Sequence, residues 1–375
     1  MLIFSKKFFN IYQKEEEIEK IEDVIFLGAG ASASEGAPVQ GALFKEYFRL
    51  YKDGEIPYTN SEINTRLVKF FNAFFGINVN QRKVENISFP SFEEILGILE
   101  LSINRQESFR DYSFSPAKPL IQQIREDLIF LIAIVLDKKL ETTPQYHEIL
   151  VNRLKKEKRL SKTCFISLNY DILIDNALIK LFPEYHVDYG VEFTNFERKI
   201  ESVKYWERPD PKKSIFLLKL HGSLNWLYCP TCISLTLTPL EKRVAKLVFE
   251  PQYCDMCGGE MIPIIIPPTF FKVMSNFFLQ KIWRKAESVL TRARRIFFCG
   301  YSFPDADVHI KYLLKRTEIN KGSTPEIFII NNHEGKPLYQ KEEEEWRYKR
   351  FFKEKEKVHY TSYSFQEFCE QGINT

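Results

Sequence analysis

One stretch of sequence decides the fold of this 375-residue chain: Val24-Ile25-Phe26-Leu27-Gly28-Ala29-Gly30-Ala31-Ser32. Its first four residues form a short apolar run of β-branched and aromatic side chains, which leads directly into two closely spaced glycines. This pattern is typical of a buried parallel strand that enters a tight turn before a helix. It predicts that the first Rossmann unit of an α/β protein begins here.

Strand character returns further along the chain, each time just before polar or glycine-bearing positions. The segments are Thr163–Leu168, Ile215–Leu220, Arg295–Cys299 and Glu326–Ile330. Helical stretches such as 172–181 and 276–294 separate them, and this alternation predicts a parallel, doubly wound sheet. Because ligands of such sheets bind beyond the carboxyl ends of the strands, we expect the functional residues there.

Between the first two strands, from about Asn60 to Arg159, the pattern changes to helical periodicity. We expect an all-helical insertion with helices near 62–75, 92–103, 120–136 and 147–156. The apolar run Leu128–Leu136 is roughly half of what spans a bilayer, so it predicts a buried core helix. The charged run Lys336–Lys357 predicts a solvated helix.

The charge balance argues against a strongly charged partner. The chain has 53 basic and 50 acidic residues, a formal net charge of +3. We therefore expect no strong direct binding to nucleic acid and no membrane association. Residues 1–23 lack the apolar core and the small-residue cleavage site of a secretory signal, so we expect a cytoplasmic protein.

The glycine turn Gly28-Ala29-Gly30-Ala31-Ser32 suits a phosphate ligand. Glycines let the backbone approach a pyrophosphate, and a helix that begins just beyond presents N–H groups to the anion. The third glycine of the usual dinucleotide motif is absent at the expected spacing, and no acidic residue is clearly placed to hold the adenine ribose. A turn without a ligand is about equally well supported by these residues alone.

Two strand ends carry polar side chains suited to chemistry. Asn169 and Asp171 follow one strand, where they could hold a ribose hydroxyl, a water or a carboxamide, or simply cap the next helix. His221 follows another strand, beside Gly222, which would leave room for a ligand. An imidazole can take a proton from a hydroxyl or a water near neutral pH. A lone histidine is more often structural, but here all the motifs lie on one edge of the predicted sheet.

Four of the seven cysteines form two close pairs, Cys229-Pro230-Thr231-Cys232 and Cys254-Asp255-Met256-Cys257. This spacing fits two knuckles that close a tetrahedral thiolate site for zinc. Four protein thiolates leave no position for water, so the Zn²⁺ is expected to be structural; reduced cysteines without metal are the alternative. Cys164 and Cys299 lie inside predicted strands and are expected to be packed core thiols.

The fold class predicted is therefore α/β, a Rossmann-like doubly wound parallel sheet with an all-helical insertion and a small four-cysteine zinc ribbon. The predicted segments are 1–59 (N-terminal segment and first Rossmann unit), 60–160 (helical insertion), 161–227 (Rossmann continuation), 228–262 (zinc ribbon), 263–335 (Rossmann completion) and 336–375 (charged helix, then a final strand and helix).

In their order along the chain, these pieces resemble the sirtuin family: the glycine turn, Asn169-Tyr170-Asp171, His221-Gly222, the cysteine pairs, Gly300-Tyr301-Ser302 and Ile330-Asn331. The resemblance spans roughly residues 22–335 and implies NAD⁺ as the substrate. It implies that Asn169 and Asp171 surround the nicotinamide and its ribose, and that His221 is the catalytic base. The cofactor-binding residues it implies are Gly28, Ala29, Gly30, Ser32, Pro38, Gly300, Ser302 and Asn331.

Two departures from protein-deacylating sirtuins concern the peptide. Those enzymes continue the glycine turn with Gly-Ile-Pro-Asp-Phe-Arg, whereas this sequence reads Gly36-Ala37-Pro38-Val39-Gln40-Gly41. They also carry a Val-x-Phe-Gly-Glu segment that pairs with the acyl-lysine peptide. Here that place reads Ile264-Ile265-Ile266-Pro267-Pro268, whose prolines remove backbone donors. We therefore expect water, not an acyl-lysine, to attack the ribose.

The strings 219–226 and 300–305, together with the helical insertion, look like the sirtuin-like domains of bacterial antiphage systems. That resemblance implies an NAD⁺ glycohydrolase controlled by a homo-oligomer or by a partner such as an ATPase or a nucleic-acid-handling protein encoded nearby. We expect the contact surfaces on the insertion and on the charged C-terminal stretch. The alternatives are a protein-lysine deacylase, which the zinc ribbon favours, a non-enzymatic module that senses NAD⁺ or ADP-ribose, and ADP-ribosyl transfer.

Overall fold

The computed structural model describes residues 20–56, 61–114, 119–140, 145–197, 207–238, 252–265, 276–305, 307–333, 335 and 337–373. Its strands, in chain order, are β1 (Asp23–Leu27), β2 (Thr163–Ser167), β3 (His186–Asp188), β4 (Ser214–Lys219), β5 (Gly222–Cys229), β6 (Ser234–Leu237), β7 (Gln252–Tyr253), β8 (Glu260–Ile265), β9 (Arg295–Cys299), β10 (Glu326–Ile330) and β11 (Val358–Thr361).

Six of the described helices lie between β1 and β2, and the others follow later strands. They are α1 (Ala29–Ala33), α2 (Leu43–Lys52), α3 (Ser61–Phe75), α4 (Phe92–Arg105), α5 (Leu120–Lys139), α6 (Tyr146–Lys156), α7 (Leu173–Ile179), α8 (Phe277–Arg292), α9 (Val308–Lys321), α10 (Leu338–Phe351) and α11 (Phe365–Gln371). The predicted strands β1, β2, β4, β9 and β10 and the predicted helices α3 to α8 and α10 are confirmed, with ends that shift by a few residues. The sequence patterns did not predict β3, β5 to β8, α2 and α9.

A parallel sheet of seven strands, in the order β11-β10-β9-β1-β2-β4-β3, forms the centre of the described fold. Strand β1 lies between β2 and β9, and its register pairs Ile25 with Phe165 on one side and Phe297 on the other. All its side chains are buried, as expected of a strand covered on both faces. The predicted doubly wound sheet is therefore confirmed, and its strand order reverses between β1 and β9.

A smaller antiparallel sheet has the order β6-β5-β8-β7. Strand β5 begins directly after His221 and ends at Cys229, so it connects the parallel sheet to the cysteine pairs. Its pairing with β8 shifts register between Ser223 and Leu227. The two cysteine pairs lie at the turns of this sheet, next to strands β5, β6, β7 and β8.

The helices between β1 and β2 have a hydrophobic core of their own, which includes most of the buried apolar residues from Ala37 to Leu136. Helix α5 is its central element, and every residue from Leu128 to Leu136 is buried. The prediction of a buried core helix is thus confirmed. No helix in the described ranges is both long and apolar enough to cross a membrane. The segment limits given above stay predictions.

The turns after β1 and β9 are in direct backbone contact. The N–H of Gly28 donates to the carbonyl of Cys299 (2.9 Å), and the N–H of Gly30 donates to that of Gly300 (2.8 Å). A Cβ on Gly300 would lie 2.0 Å from the backbone nitrogen of Ala31, and one on Gly28 would lie 2.6 Å from the Gly300 oxygen. Such distances are impossible, so both turns require glycine.

We predict that Gly300→Ala lowers the free energy of unfolding by about 3 kcal/mol or more, because it adds a backbone clash to an unfavourable positive φ. Gly322→Ala is the matched control, since Gly322 also has a positive φ (+80° against +64°) but has nothing within 4 Å of its added Cβ. It should cost only about 1 kcal/mol. Denaturant unfolding of both variants measures the difference, and equal losses would contradict the contact argument.

Candidate active site

A cavity of about 450 Å³ opens where the strand order reverses. This volume lies within the range of about 300–1,000 Å³ that small-molecule sites occupy. Its wall contains the turns that follow β1, β2, β4, β9 and β10, as expected for a ligand site in an open α/β sheet. Of the predicted site residues, the wall includes Gly28, Ala29, Gly30, Asn169, His221, Gly300, Ser302 and Asn331.

The side-chain amide of Asn169 is held by two hydrogen bonds. Its nitrogen Nδ2 donates to the carbonyl of Gly28 and to the hydroxyl of Ser32, both at 2.9 Å. These bonds assign the amide orientation, because only the nitrogen can donate. The carbonyl oxygen Oδ1 is left as an acceptor at the cavity, suited to a water or a ribose hydroxyl.

Asp171 and Ser32 are described but do not line the cavity. The Ser32 hydroxyl donates to the Asp171 carboxylate (2.7 Å), and the N–H of Leu173, the first residue of α7, donates to its other oxygen (3.2 Å). The buried ammonium of Lys219 donates to the Asp171 carbonyl (2.5 Å) and to the Asp175 carboxylate (3.0 Å). Asp171 therefore accepts from the first N–H of α7, although the N-cap residue is Ile172. The side chain of Asn169 bonds instead to the glycine turn and to Ser32.

His221 lies at the end of β4 and is 3% exposed. Its Nδ1 is 3.2 Å from the carbonyl of Leu168, which can only accept, so Nδ1 carries the proton and Nε2 is the basic nitrogen. Gly222 does not make room for a ligand, contrary to expectation. Its φ is +80°, and a Cβ there would lie 2.1 Å from the carbonyl oxygen of Ile264, so this glycine serves the pairing of β5 with β8.

The glycine turn contributes to the wall, but most of its backbone donors are already paired. The N–H groups of Gly28, Gly30 and Ala31 donate to backbone carbonyls of Cys299, Gly300 and Gly28. Helix α1 has only five residues. The expectation that these N–H groups are presented to a phosphate is therefore wrong for the three that are paired. The next predicted residue, Pro38, lies outside the wall, whereas its neighbour Val39 is in it.

At the opposite end of the cavity, Asn331 follows β10. Its Nδ2 donates to the carbonyl of Tyr301 (3.0 Å) and to the carboxylate of Glu344. Glu344 also accepts from the hydroxyl of Tyr360 (3.1 Å) and lies 3.3 Å from Nε2 of His333. Sequence reasoning missed Glu344, because it belongs to a run of charged residues that reads as an exposed helix.

The insertion and the C-terminal stretch both reach the cavity. Glu93 of α4 lies in its wall, as do Glu344 of α10 and Ser364 and Phe365 at the start of α11. The two segments on which we expect contact surfaces therefore also form part of the cavity wall. The prediction of a solvated helix at 336–357 holds for most of α10, but Glu344 and Tyr348, which lie on one face four residues apart, are buried.

The four paired cysteines come together at the small sheet. Their sulfurs lie within 4.8 Å of one another, with Cys229 to Cys257 at 3.5 Å and Cys232 to Cys254 at 3.6 Å. In a tetrahedral zinc site with Zn–S bonds of about 2.3 Å, sulfurs are about 3.8 Å apart. The residues therefore fit the predicted structural Zn²⁺. Cys164 and Cys299 are fully buried in the core, as predicted.

The pKa of Cys254 also suits a metal ligand. Burial acts to raise this pKa, but hydrogen bonds from the Ser234 hydroxyl and from the backbone of Met256 and Cys257 outweigh it and lower the pKa to about 6. Cys254 is therefore poised to be a thiolate near neutral pH, and the thiolate is the form that binds a metal. With four thiolate ligands, a zinc ion has no coordination position left for a water or a substrate.

The fold and the cavity define an α/β protein with a ligand cavity at the reversal of its strand order and a four-cysteine cluster at its small sheet. The model of the SIR2-like domain family matches residues 163–360, more than half of the chain, and this chain belongs to that family. Membership supports NAD⁺ as the ligand and an NAD-dependent activity in general. No curated protein matches the sequence.

Several solved structures are similar to the chain. Sir2Tm bound to a propionylated peptide has 13% identity, covers 93% of this chain and 91% of that chain, and gives a TM-score of 0.43. A complex of Sir2 with a p53 peptide and NAD⁺ has 15% identity, the same coverage of 93% and 91%, and a TM-score of 0.42. A structure that concerns the mechanism and regulation of Sir2 enzymes has 13% identity, coverage of 96% and 94%, and a TM-score of 0.41.

We predict that the purified protein contains about one zinc ion per chain and that Cys254→Ala loses most of it, because three thiolates bind zinc more weakly than four. Elemental analysis of the purified proteins measures this. Cys164→Ala is the matched control, since it truncates a buried thiol away from the cluster and should keep the metal. Equal zinc contents in the two variants would contradict the assignment.

Proposed function

We propose that this protein cleaves the bond between nicotinamide and ribose in NAD⁺ with water, giving nicotinamide and ADP-ribose. The observation that carries the proposal is the placement of an acceptor oxygen, Asn169 Oδ1, and a basic nitrogen, His221 Nε2, at neighbouring strand ends in one cavity. The two hydrogen bonds that hold Asn169 and the bond that sets the tautomer of His221 prepare both groups before a ligand binds.

The strand order supports a dinucleotide as the ligand. His221 follows β4 and Asn331 follows β10, with the glycine turns of β1 and β9 between them. Adjacent strands are about 4.8 Å apart, so the two ends of the cavity are separated by about 19 Å. A dinucleotide with its pyrophosphate at the strand reversal would place one nucleoside on each side. We assign the nicotinamide half to the end with Asn169 and His221.

The proposed reaction breaks the C1′–N bond of the nicotinamide riboside. The bonding pair goes to the ring nitrogen, which becomes neutral, and positive charge develops on the ribose. A water that donates one hydrogen bond to Asn169 Oδ1 adds its oxygen to C1′, and its proton passes to His221 Nε2. Asp171 acts in this scheme as a positioning residue, because it holds Ser32 and Ser32 holds Asn169.

Water is the proposed acceptor because the sequence lacks the Phe-Arg pair and the peptide-pairing segment of deacylating sirtuins. Part of that segment, residues 266–268, lies outside the described residues. The zinc ribbon favours the deacylase as the second candidate. NAD⁺ consumption that depends strictly on an added acyl-lysine peptide would support the deacylase and contradict hydrolysis. Tight nucleotide binding without turnover in any assembly state would support a non-enzymatic sensor.

We predict that Asn169→Ala lowers NAD⁺ hydrolysis by about 100-fold or more, because it removes the acceptor that orients the water. His221→Gln should lower it by about 100-fold to 10,000-fold, since the amide cannot take the proton. Chromatography of nicotinamide and ADP-ribose after incubation with NAD⁺ measures both rates.

The control for these variants is Asn320→Ala, which truncates an exposed asparagine on α9, outside the cavity. It should hydrolyse NAD⁺ at the wild-type rate. If NAD⁺ stays intact with the wild-type protein in every assembly state, or if Asn169→Ala is as active as wild type, the proposed hydrolysis is wrong.

We extend the proposal to a biological role as an effector of bacterial antiphage defence. The support is that the sequences of residues 219–226 and 300–305 resemble the sirtuin-like domains of bacterial antiphage systems. An unregulated NAD⁺ hydrolase would kill its host, so we propose control by a homo-oligomer or by a partner. Glu93 of the insertion and Glu344 of the C-terminal stretch lie in the cavity wall. Contact with either segment would therefore act on the nucleotide site directly.

We predict that bacteria expressing the protein with its neighbouring genes lose NAD⁺ after infection by a susceptible phage and release fewer phage. Cells with Asn169→Ala should keep their NAD⁺, because the water is no longer oriented. Plaque counts and cellular NAD⁺ measure this, with Asn320→Ala as the control. Equal phage yields from all strains across a broad phage panel would contradict the defence role while leaving the hydrolysis proposal intact.

A further inference from the structure

The adenosine end of the cavity contains a buried carboxylate, Glu344. The assignment of this end rests on the proposed function, which places the nicotinamide half beside His221 and therefore the adenosine half beside β10. Glu344 lies on helix α10, is 3% exposed, and is in the cavity wall. It is charged, shielded from solvent, and close to the strand end where the adenosine ribose would bind.

Three donors surround this carboxylate: the Asn331 amide, the Tyr360 hydroxyl at 3.1 Å and Nε2 of His333 at 3.3 Å. Nδ1 of His333, in the same wall, is buried and has no hydrogen-bond partner among the described residues. A carboxylate has about four acceptor sites, so Glu344 can accept a further hydrogen bond from a hydroxyl group that donates.

Two cations of α10 near this site have partners elsewhere and are not in the cavity wall. The guanidinium of Arg347 is directed to the carboxylate of Glu343 (3.3 Å) and to the carbonyl of Ser302 (3.2 Å), and the ammonium of Lys341 donates to the hydroxyl of Ser362 (3.0 Å). A phosphate group placed here would meet the Glu344 carboxylate at short range in a poorly solvated place. Juxtaposed like charges of this kind weaken binding strongly.

We propose that Glu344 makes the cavity selective for a dinucleotide with a free 2′-hydroxyl on its adenosine ribose, against the 2′-phosphorylated form. In other dinucleotide-binding proteins an acidic residue accepts from the 2′-hydroxyl, and an arginine accommodates the 2′-phosphate. Here the carboxylate comes from a C-terminal helix rather than from the end of a second strand. This explains why the first Rossmann unit shows no acidic residue for the ribose.

The test is binding of two products that need no turnover, ADP-ribose and ADP-ribose 2′-phosphate, measured by calorimetry on the full chain. Wild type should bind ADP-ribose at least about tenfold more tightly, and Glu344→Gln should reduce that ratio by about tenfold or more. Glutamine keeps the size and one acceptor oxygen, removes the charge, and replaces the other oxygen by an NH2 donor. Tyr360→Phe removes a donor to Glu344 and keeps the charge, so its ratio should stay close to that of wild type.

Glu318→Gln is the matched control. Glu318 is also 3% exposed and accepts from the Thr324 hydroxyl (2.6 Å) and the backbone of Lys353 (2.8 Å), but it lies outside the cavity. Glu318→Gln should lower the stability of the protein without changing the ratio of its affinities for the two ligands. If wild type binds the two ligands with equal affinity, the inference is wrong, whether or not Glu344→Gln folds. The inference is also wrong if Glu344→Gln folds and keeps the wild-type ratio of the two affinities. Failure of wild type to bind either ligand overturns the NAD⁺ site itself.

Discussion

Two backbone turns, one after β1 and one after β9, lie closer together than any side chain permits. A Cβ would lie 2.6 Å from a backbone atom at Gly28, 2.7 Å at Gly30 and 2.0 Å at Gly300. Strands β1 and β9 pair along their whole length although most of the chain separates them, and the turns that follow can lie this close only because they carry glycine. The chain adds its further strands on opposite sides of this pair. The turns that follow β1 and β9 therefore diverge, and a cavity opens between them.

A continuous set of hydrogen bonds extends from that contact to the proposed chemistry. The carbonyl of Gly28 accepts from Asn169, Asn169 donates to Ser32, and Ser32 donates to Asp171. The backbone of Asp171 is in turn held by Lys219, which is fully buried at the end of β4, two residues before His221. The strand ends that carry Asn169 and His221 are therefore fixed relative to the glycine turn before any ligand binds.

The segments that do not belong to the parallel sheet complete the cavity from two sides. The insertion packs its own apolar core and adds Glu93 to the wall, while the C-terminal helices add Glu344 and Phe365. The small sheet is tied to the site through Gly222, whose missing Cβ lets Ile264 approach. These segments add polar and aromatic side chains to the cavity wall, and the parallel sheet sets the position of the cavity.

The sequence by itself determined the parallel sheet, the helical insertion and the cysteine cluster, because apolar periodicity, glycine turns and metal-ligand spacing are local patterns. It also placed Asn169, His221 and Asn331 at one edge, since strand ends of a parallel sheet share that edge. Only the tertiary structure decided that Asp171 supports the site from behind the wall and that Glu344 lines it. Both depend on contacts between residues distant in the chain, and a charge on a polar helix carries no local sign of what it faces.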